Sequence, residues 1–539
     1  MRSLPNLDTL SLAELVAQMV VVRASGYLFD HQILYPSWEP TAAKLQHLIQ
    51  LGVGGVILLG GSAVEIATRT QLLQSWANIP LLIAADIEEG VGQRFAGATW
   101  FPPPMAIGAI ASHNLSLAQT YAAQMGAITA QEALAVGINW VLAPVVDVNN
   151  NPDNPVINVR SFGDNPTVVS QLATAYIQGA KSHPVLTAAK HFPGHGDTAA
   201  DSHLDLPVIS HSPARLAEIE LPPFQAAIAA GVDAVMSAHL LIPSWDTEYP
   251  ATLSSRILTQ LRQNMGFEGL IVTDALVMGA IANRYGANEA PVLAVEAGAD
   301  ILLMPVDPEG AIQAVCAAVE SGRISQQRIR ASVERIWQAK QKVTVAEAHS
   351  CMPLQTQISQ PDTFTVVDKI LQASQVMHGT VPLSSDKSTL KRNLIAAPLS
   401  PDKSTPRRNL IVVDELLGCD FLHRKAPAIA LPAMHGYTAR LCDRHTPIVF
   451  DADDDCPTLL QLFIRGNPFR GSAGITQVGE AWVKTLLAAG NLQALAVYGS
   501  PYVLQHLLPM LQSIPYVFSY GQIPAAQAVS MSTLFTRSI

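Results

Sequence analysis

Eight short apolar runs, separated by amphipathic stretches long enough for helices, occupy roughly the first 340 residues of this chain, and that alternation leaves few folds open to it. The runs lie at 19–23, 54–59, 81–85, 138–143, 185–189, 234–237, 270–273 and 301–304. Between them stand helical stretches such as 116–136, 166–182, 213–230 and 289–297, whose starts carry capping residues or a helix-initiating proline. Strands alternating with helices call for parallel strands joined by crossovers. Eight such units predict an α/β fold of the closed (β/α)8 barrel, or TIM, type. A doubly wound open sheet is the alternative. Nearly every run ends in a polar or special residue: Asp86, Asp147, Lys190 and His191, His239, Asp274, Pro305. In a barrel, those strand ends form the face that carries the chemistry.

The chain has 539 residues, more than one core organises, so further domains are expected. Apolar runs at 410–413, 428–431, 448–450, 494–497 and 516–519 alternate with helical stretches and predict a second, smaller α/β domain. The expected division is a catalytic barrel over 1–345, a linker over 346–408 and an accessory domain over 409–539. The linker contains a helical segment at 368–375 and a tandem duplication. LSSDKSTLKRNLI at 383–395 returns as LSPDKSTPRRNLI at 399–411. A unit this short is no solenoid repeat and reads as a polar surface insertion. The aspartates at 451 and 453–455 read as a solvated acidic turn.

Charged residues make up only 14% of the chain, against about 25% in an average soluble protein. No run of about 18 apolar residues accompanies that low charge, so no spanning helix and no membrane partner are expected. A net charge of −10 argues against nucleic acid as a partner. The first 26 residues are interrupted by Asp8 and Glu14 and do not read as a signal peptide. Five scattered cysteines without CxxC spacing fit reduced thiols, and a cytoplasmic location is expected. Oligomeric state is not legible.

The densest chemistry is KHFPGHGDTAADSHLDLP at 190–207. Pro193, Gly194 and Gly196 end the regular structure of the preceding strand, so the polar groups ride on a loop at a strand end. Asp201 stands two residues from His203, and a carboxylate beside an imidazole fixes its tautomer and raises its basicity. That pair can move a proton. Asp274 ends the strongly apolar run GLIVTDAL at 269–276. It reads either as a helix N-cap or as a carboxylate nucleophile for an anomeric carbon. Asp86, Arg94, Arg160, Lys190 and His191 supply carboxylate, guanidinium, ammonium and imidazole groups suited to the hydroxyls of a small polyol. The same loop holds enough His and Asp residues to suggest a metal-dependent hydrolase, though without a known ligand spacing such as HExxH. A non-enzymatic sugar-binding barrel is the remaining alternative.

Six separated motifs in order carry a resemblance over 10–340: FPPPMAIGA at 101–109, PVVDVN at 144–149, VINVRSFG at 156–163, KHFPGHGDTAADSH at 190–203, IVTDAL at 271–276 and EAGADILLMP at 296–305. The chain resembles glycoside hydrolase family 3, within it the NagZ-type β-N-acetylglucosaminidases (β-hexosaminidases). The resemblance implies a retaining exo-glycosidase that removes terminal N-acetylglucosamine, with peptidoglycan-derived muropeptides as substrate. It implies Asp274 as nucleophile, His203 paired with Asp201 as acid/base, and Asp86, Arg94, Arg160, Lys190 and His191 as sugar-binding residues. No metal or organic cofactor is implied, and the partner is a small carbohydrate. A β-glucosidase or β-xylosidase of the same family is the alternative, against which the Asp-Ser-His loop speaks. Ile87, Glu89 and Val91 stand where the family commonly has Gln, Gly and Arg. The segment SIPYVFSYGQIPAAQ at 513–527 resembles the accessory domain of longer members.

Overall fold

The computed structural model describes residues 4–198, 206–344, 353–379, 383, 406–448, 455–465 and 473–535. The chain divides into two compact units, Met1–Phe364 and Thr365–Ile539. Unit one contains eight parallel strands: β1 (Val20–Ser25), β2 (Gly55–Leu59), β3 (Leu82–Ala85), β4 (Trp140–Val141), β5 (Leu186–Phe192), β6 (Ala234–Ser237), β7 (Leu270–Thr273) and β8 (Leu302–Leu303). Their spatial order follows the chain from β1 to β7, with β8 beside β1. A parallel bridge between Val272 and Ile301 joins β7 to β8, so the sheet closes into the expected barrel.

Each of the eight runs read from the sequence contains or overlaps one of these strands. The helices follow the same pattern. Asn114 caps Leu115–Ala135 and Asn165 caps Pro166–Ala180 through their side-chain oxygens. The stretch at 213–230 is two helices, Pro213–Glu218 and Leu221–Ala229. The adjacent Pro222 and Pro223 lack the amide hydrogens that a continuous helix would need there, and they fit the first turn of a new one.

The strand register fixes which side chains face the barrel interior. Partners across a parallel ladder, and residues two apart along a strand, point the same way. Lys190 on β5 reaches Asp86 beyond β3 with β4 lying between them, a meeting that takes place inside the barrel. Leu186 shares the parity of Lys190 and is in register with Trp140, Ala84, Ile57 and Arg23 in turn. In the other direction Lys190 is in register with Met236 and Met236 with Val272, two residues before Asp274. Arg23, Asp86, Lys190 and Asp274 therefore all project inward, at or near the C-terminal ends of their strands.

Unit two holds β9 (Val376–His378), β10 (Arg407–Val412), β11 (Tyr437–Cys442), β12 (Thr458–Ile464), β13 (Leu492–Gly499) and β14 (Tyr516–Ser519) in the order β11-β10-β12-β13-β14-β9. The first five in that order run parallel, and β9 pairs antiparallel at the edge. Ile411, Leu459, Phe463, Tyr498 and Val517 pack in its core. One expectation fails here, and another lies mostly outside the described residues. The run at 428–431 lies in a helix, Pro427–Met434, which starts on a proline that pre-sets its first turn. Ile448 lies in no strand, and residues 449 and 450 are outside the described residues. Two strands, Tyr437–Cys442 and Thr458–Ile464, lie where no run was expected. A short apolar run does not distinguish a strand from a buried helix by periodicity. Of the duplication, 384–405 lies outside the described residues, as do the aspartates at 451, 453 and 454.

Candidate active site

The loop after β3 and the end of β5 build one buried ionic array. Lys190 Nζ donates to Asp86 Oδ1 and lies as close to Glu88 Oε1, at 2.7 Å in each case. Arg160 also binds Glu88, Nε to Oε2 and Nη2 to Oε1, both at 2.8 Å, so that Oε1 is shared with Lys190. Its Nη1 donates to the Val156 carbonyl at 3.0 Å. Arg160 Nη2 also lies 3.4 Å from His191 Nε2. Arg94 is exposed and donates from Nε to the backbone oxygen of Asp86 at 3.0 Å. All five sugar-binding candidates thus belong to one cluster, and Glu88, which the sequence reading passed over, is its hub.

The electrostatics follow from burial and pairing. Burial alone would raise the Glu88 carboxyl. The Arg160 guanidinium and Lys190 ammonium outweigh it and hold the group well below the usual carboxylate range. Burial would likewise push the Lys190 ammonium down, but Asp86 and Glu88 raise it instead. Arg160 moves upward for the same reason, with Glu88 its main partner. Each cation stays charged because each has a carboxylate in hydrogen-bond contact. Asp86 alone among these carboxylates has a side chain more than a third exposed, at 38%, so it offers an acceptor to a ligand hydroxyl.

Behind this array lies Asp147, fully buried. Its carboxylate accepts from His191 Nδ1 at 2.8 Å, from the His191 amide at 3.1 Å and from the His195 amide at 2.7 Å. Burial would raise the group, and His191 and His195 lower it. The sequence marked Asp147 as a strand end and gave it no role. Its position after β4, beside the two histidines of KHFPGHG, was the available signal. Glycine is required in that motif by space. A Cβ at Gly196 would stand 1.7 Å from the Val148 carbonyl oxygen, and Gly194 has φ +134° with Glu220 only 2.8 Å from where its Cβ would be.

Asp274 leaves the end of β7. Its amide donates to the Ser237 carbonyl at 3.1 Å, and its Oδ1 accepts the Ala275 amide at 2.7 Å. The next helix starts at Gly279 with Met278 at its cap, so Asp274 is not a helix N-cap. His239 on the neighbouring strand end sits 3.0 Å from the Ala275 carbonyl through Nε2 and 2.9 Å from Thr252 Oγ1 through Nδ1. A carbonyl only accepts, so Nε2 carries the proton. The loop that follows β7 is therefore held from β6. Burial pushes the His195 imidazole down to about 4, against the pull of Asp147 and a smaller one from Asp274. Asp201 and His203 lie outside the described residues. The segment holding them is bracketed by Asp197 and His211, which meet at 2.8 Å.

The Glycosyl hydrolase family 3 N terminal domain matches residues 11–339, and the Bacterial Glycosyl hydrolase family 3 C-terminal domain matches residues 400–536. A beta-hexosaminidase A of Pseudoalteromonas piscicida is 36% identical over 338 residues, covering 57% of this chain and 56% of its own length. A beta-N-acetylglucosaminidase/beta-glucosidase of Cellulomonas fimi is 31% identical over 297 residues, covering 53% of this chain and 52% of its own length. The chain thus spans about half the length of these two curated relatives. The solved structure of a glycoside hydrolase family 3 beta-N-acetylglucosaminidase from Paenibacillus sp. str. FPU-7 aligns with a TM-score of 0.80 at 29% identity, covering 98% of this chain and 97% of that one. A closed parallel barrel, an inward strand-end carboxylate and matches to both domains of one family lead to a single assignment: this chain belongs to glycosyl hydrolase family 3.

Proposed function

We propose that the chain is a retaining exo-β-N-acetylglucosaminidase acting through a covalent glycosyl-Asp274 intermediate. The observation that carries this reading is the inward placement of Asp274 in the same barrel mouth as the Asp86–Lys190–Glu88–Arg160 array. Beta-N-acetylglucosaminidase stands in the names of the Cellulomonas fimi relative, beside beta-glucosidase, and of the Paenibacillus structure, which supports that sugar. The array fixes the terminal sugar through its hydroxyl and acetamido groups, and a carboxylate oxygen of Asp274 attacks C1. The C1–O bond to the leaving group breaks as His203, oriented by Asp201, gives that oxygen a proton. Water then attacks C1, gives a proton to His203, and the ester bond to Asp274 breaks. The dyad is taken from the sequence alone. An imidazole, with an ordinary pKa of about 6.5, can give and take a proton near neutrality.

Muropeptide fragments of peptidoglycan are the proposed natural substrates, and the cytoplasm the proposed compartment. Cys316, Cys419 and Cys442 are unbridged, in keeping with a reducing location. No helix among the described residues is long and apolar enough to cross a membrane. The test is product analysis on N-acetylglucosaminyl-anhydromuramic acid, with NMR of the first anomer released. Terminal N-acetylglucosamine released as the β-anomer supports the reading. The α-anomer would remove the double displacement, and faster turnover of aryl glucosides than of aryl N-acetylglucosaminides would favour the β-glucosidase alternative.

A further inference from the structure

The loop after β1 carries a pair of exposed aromatic rings that the sugar pocket described above does not use. Tyr35 and Trp38 are 44% and 42% exposed. Their ring centroids are 6.0 Å apart and their planes differ by 20°. Both rings cover the guanidinium of Arg23, which lies 5.0 Å from the Tyr35 centroid and 5.5 Å from that of Trp38. Arg23 is held in turn by Glu39, its Nε and Nη2 both donating to Glu39 Oε1 at 3.1 and 3.0 Å. Glu39 is buried. The rings are therefore backed by a partly buried ion pair and not loosely tethered, which reduces the ordering entropy lost when something lands on them.

Their location follows from the register. Arg23 faces the barrel interior, in the layer of Ile57, Ala84, Trp140 and Leu186, two residues before β1 ends. Residues that cover Arg23 from the loop beyond β1 lie on the C-terminal mouth, the face that Asp86, Lys190 and Asp274 reach from their own strands. The β1 sector stands away from β3–β5, whose groups hold the terminal sugar. The neighbouring loops are continuous with that pocket. Tyr27 packs on Gly60 beyond β2, and the Ala96 amide, two residues after Arg94, donates to the Gly61 carbonyl at 3.1 Å.

We propose that Tyr35 and Trp38 form a binding platform for the pyranose ring on the reducing side of the scissile bond. The proposal rests on the glycosidase reading and deepens it by naming what the leaving group must offer. A β-linked pyranose presents a face of C–H groups, which complements the electron-rich face of an indole or phenol, while its hydroxyls meet the polar edges of both rings. A contiguous exposed apolar patch rimmed by polar residues can mark a ligand groove, and these two rings lie on the mouth that carries the pocket.

The test compares two substrates on the Tyr35→Ala/Trp38→Ala protein. One is triacetylchitotriose, whose leaving group is a disaccharide. The other is N-acetyl-β-glucosaminyl azide, whose leaving group carries no ring. The double variant should lose at least tenfold in kcat/KM on the triose, chiefly through KM, and stay within twofold on the azide. Equal losses on both substrates, or an unchanged triose rate, would overturn the platform. Wild-type protein that turns over neither substrate would instead sink the glycosidase reading. If the alanine variant does not fold, Trp38→Leu keeps cover over Arg23 without a flat ring. It should show the same selective loss on the triose, and triose kinetics equal to wild type would again overturn the proposal.

Discussion

Glu88 and Arg160 face each other through two hydrogen bonds of 2.8 Å inside the barrel mouth, one from Nε and one from Nη2. The pair is more than a salt bridge, because Glu88 Oε1, which takes Arg160 Nη2, also holds Lys190 Nζ at 2.7 Å. One carboxylate sets the position of two cations, Lys190 and Arg160.

Glu88→Gln should therefore be costly although it is nearly isosteric. Removing one partner of a buried ion pair costs about 3–5 kcal/mol, because the other charge stays buried without compensation. KM for the aryl N-acetylglucosaminide should rise together with the loss of stability. The pH dependence has a definite sign. The folded Glu88 group lies below its unfolded value of about 4.3, so its contribution is complete above that pH and lost as pH falls through the folded value. Thermal melts from pH 7 down to pH 3 should show a shallower acid slope for the variant than for wild type. Parallel slopes would mean that Glu88 is not the group titrating.

Much of this was legible in the sequence, and the misses have physical causes. Strand runs such as 234–237 and 270–273 are bounded by breaks in periodicity, so the eight barrel strands could be located one by one. Asp86, Lys190 and Asp274 were legible because strand ends in a barrel share one face. Glu88 was not, since nothing in the order Asp-Ile-Glu-Glu says which acidic side chain turns inward to meet Arg160 from 72 residues away. Asp147 was noticed and left without a role for the same reason. In unit two, the helix at Pro427–Met434 was read as a strand because its hydrophobicity has no strong face.

Asp147 makes a distinct prediction. Its carboxylate accepts from His191 Nδ1, which leaves Nε2 turned toward Arg160. Asp147→Asn can present an amide to Nδ1 and so favour the opposite tautomer. Misplacing a substrate-positioning group by an ångström costs about 10²-fold. A fall of about that size in kcat/KM is expected, with the far-ultraviolet circular dichroism unchanged. Kinetics within a factor of two of wild type would show that the His191 orientation does not depend on Asp147.

Lys340 tests stability far from the chemistry. It is buried, donates to Gln18 Oε1 at 2.7 Å and lies 5.6 Å from the Trp337 ring. Burial pushes its ammonium down to about 7. The unfolded chain, with a lysine pKa of about 10.4, then binds one more proton than the folded protein above pH 7. Stability should accordingly rise with pH between about 7 and 10, by up to about 1.4 kcal/mol per pH unit from this residue. Lys340→Met should flatten that rise. Urea melts at pH 7, 8 and 9 check it, and identical pH slopes in the two proteins would contradict it.

The central claim is that Asp274 becomes covalently bonded to the sugar. The most direct measurement is mass spectrometry of protein quenched during turnover of a 5-fluoro N-acetylglucosaminyl fluoride, whose fluorine slows hydrolysis of the ester. The predicted result is one added glycosyl mass, located by peptide fragmentation on Asp274, and its loss in Asp274→Ala together with nearly all turnover. A label on another residue, or full activity in Asp274→Ala, would contradict the account.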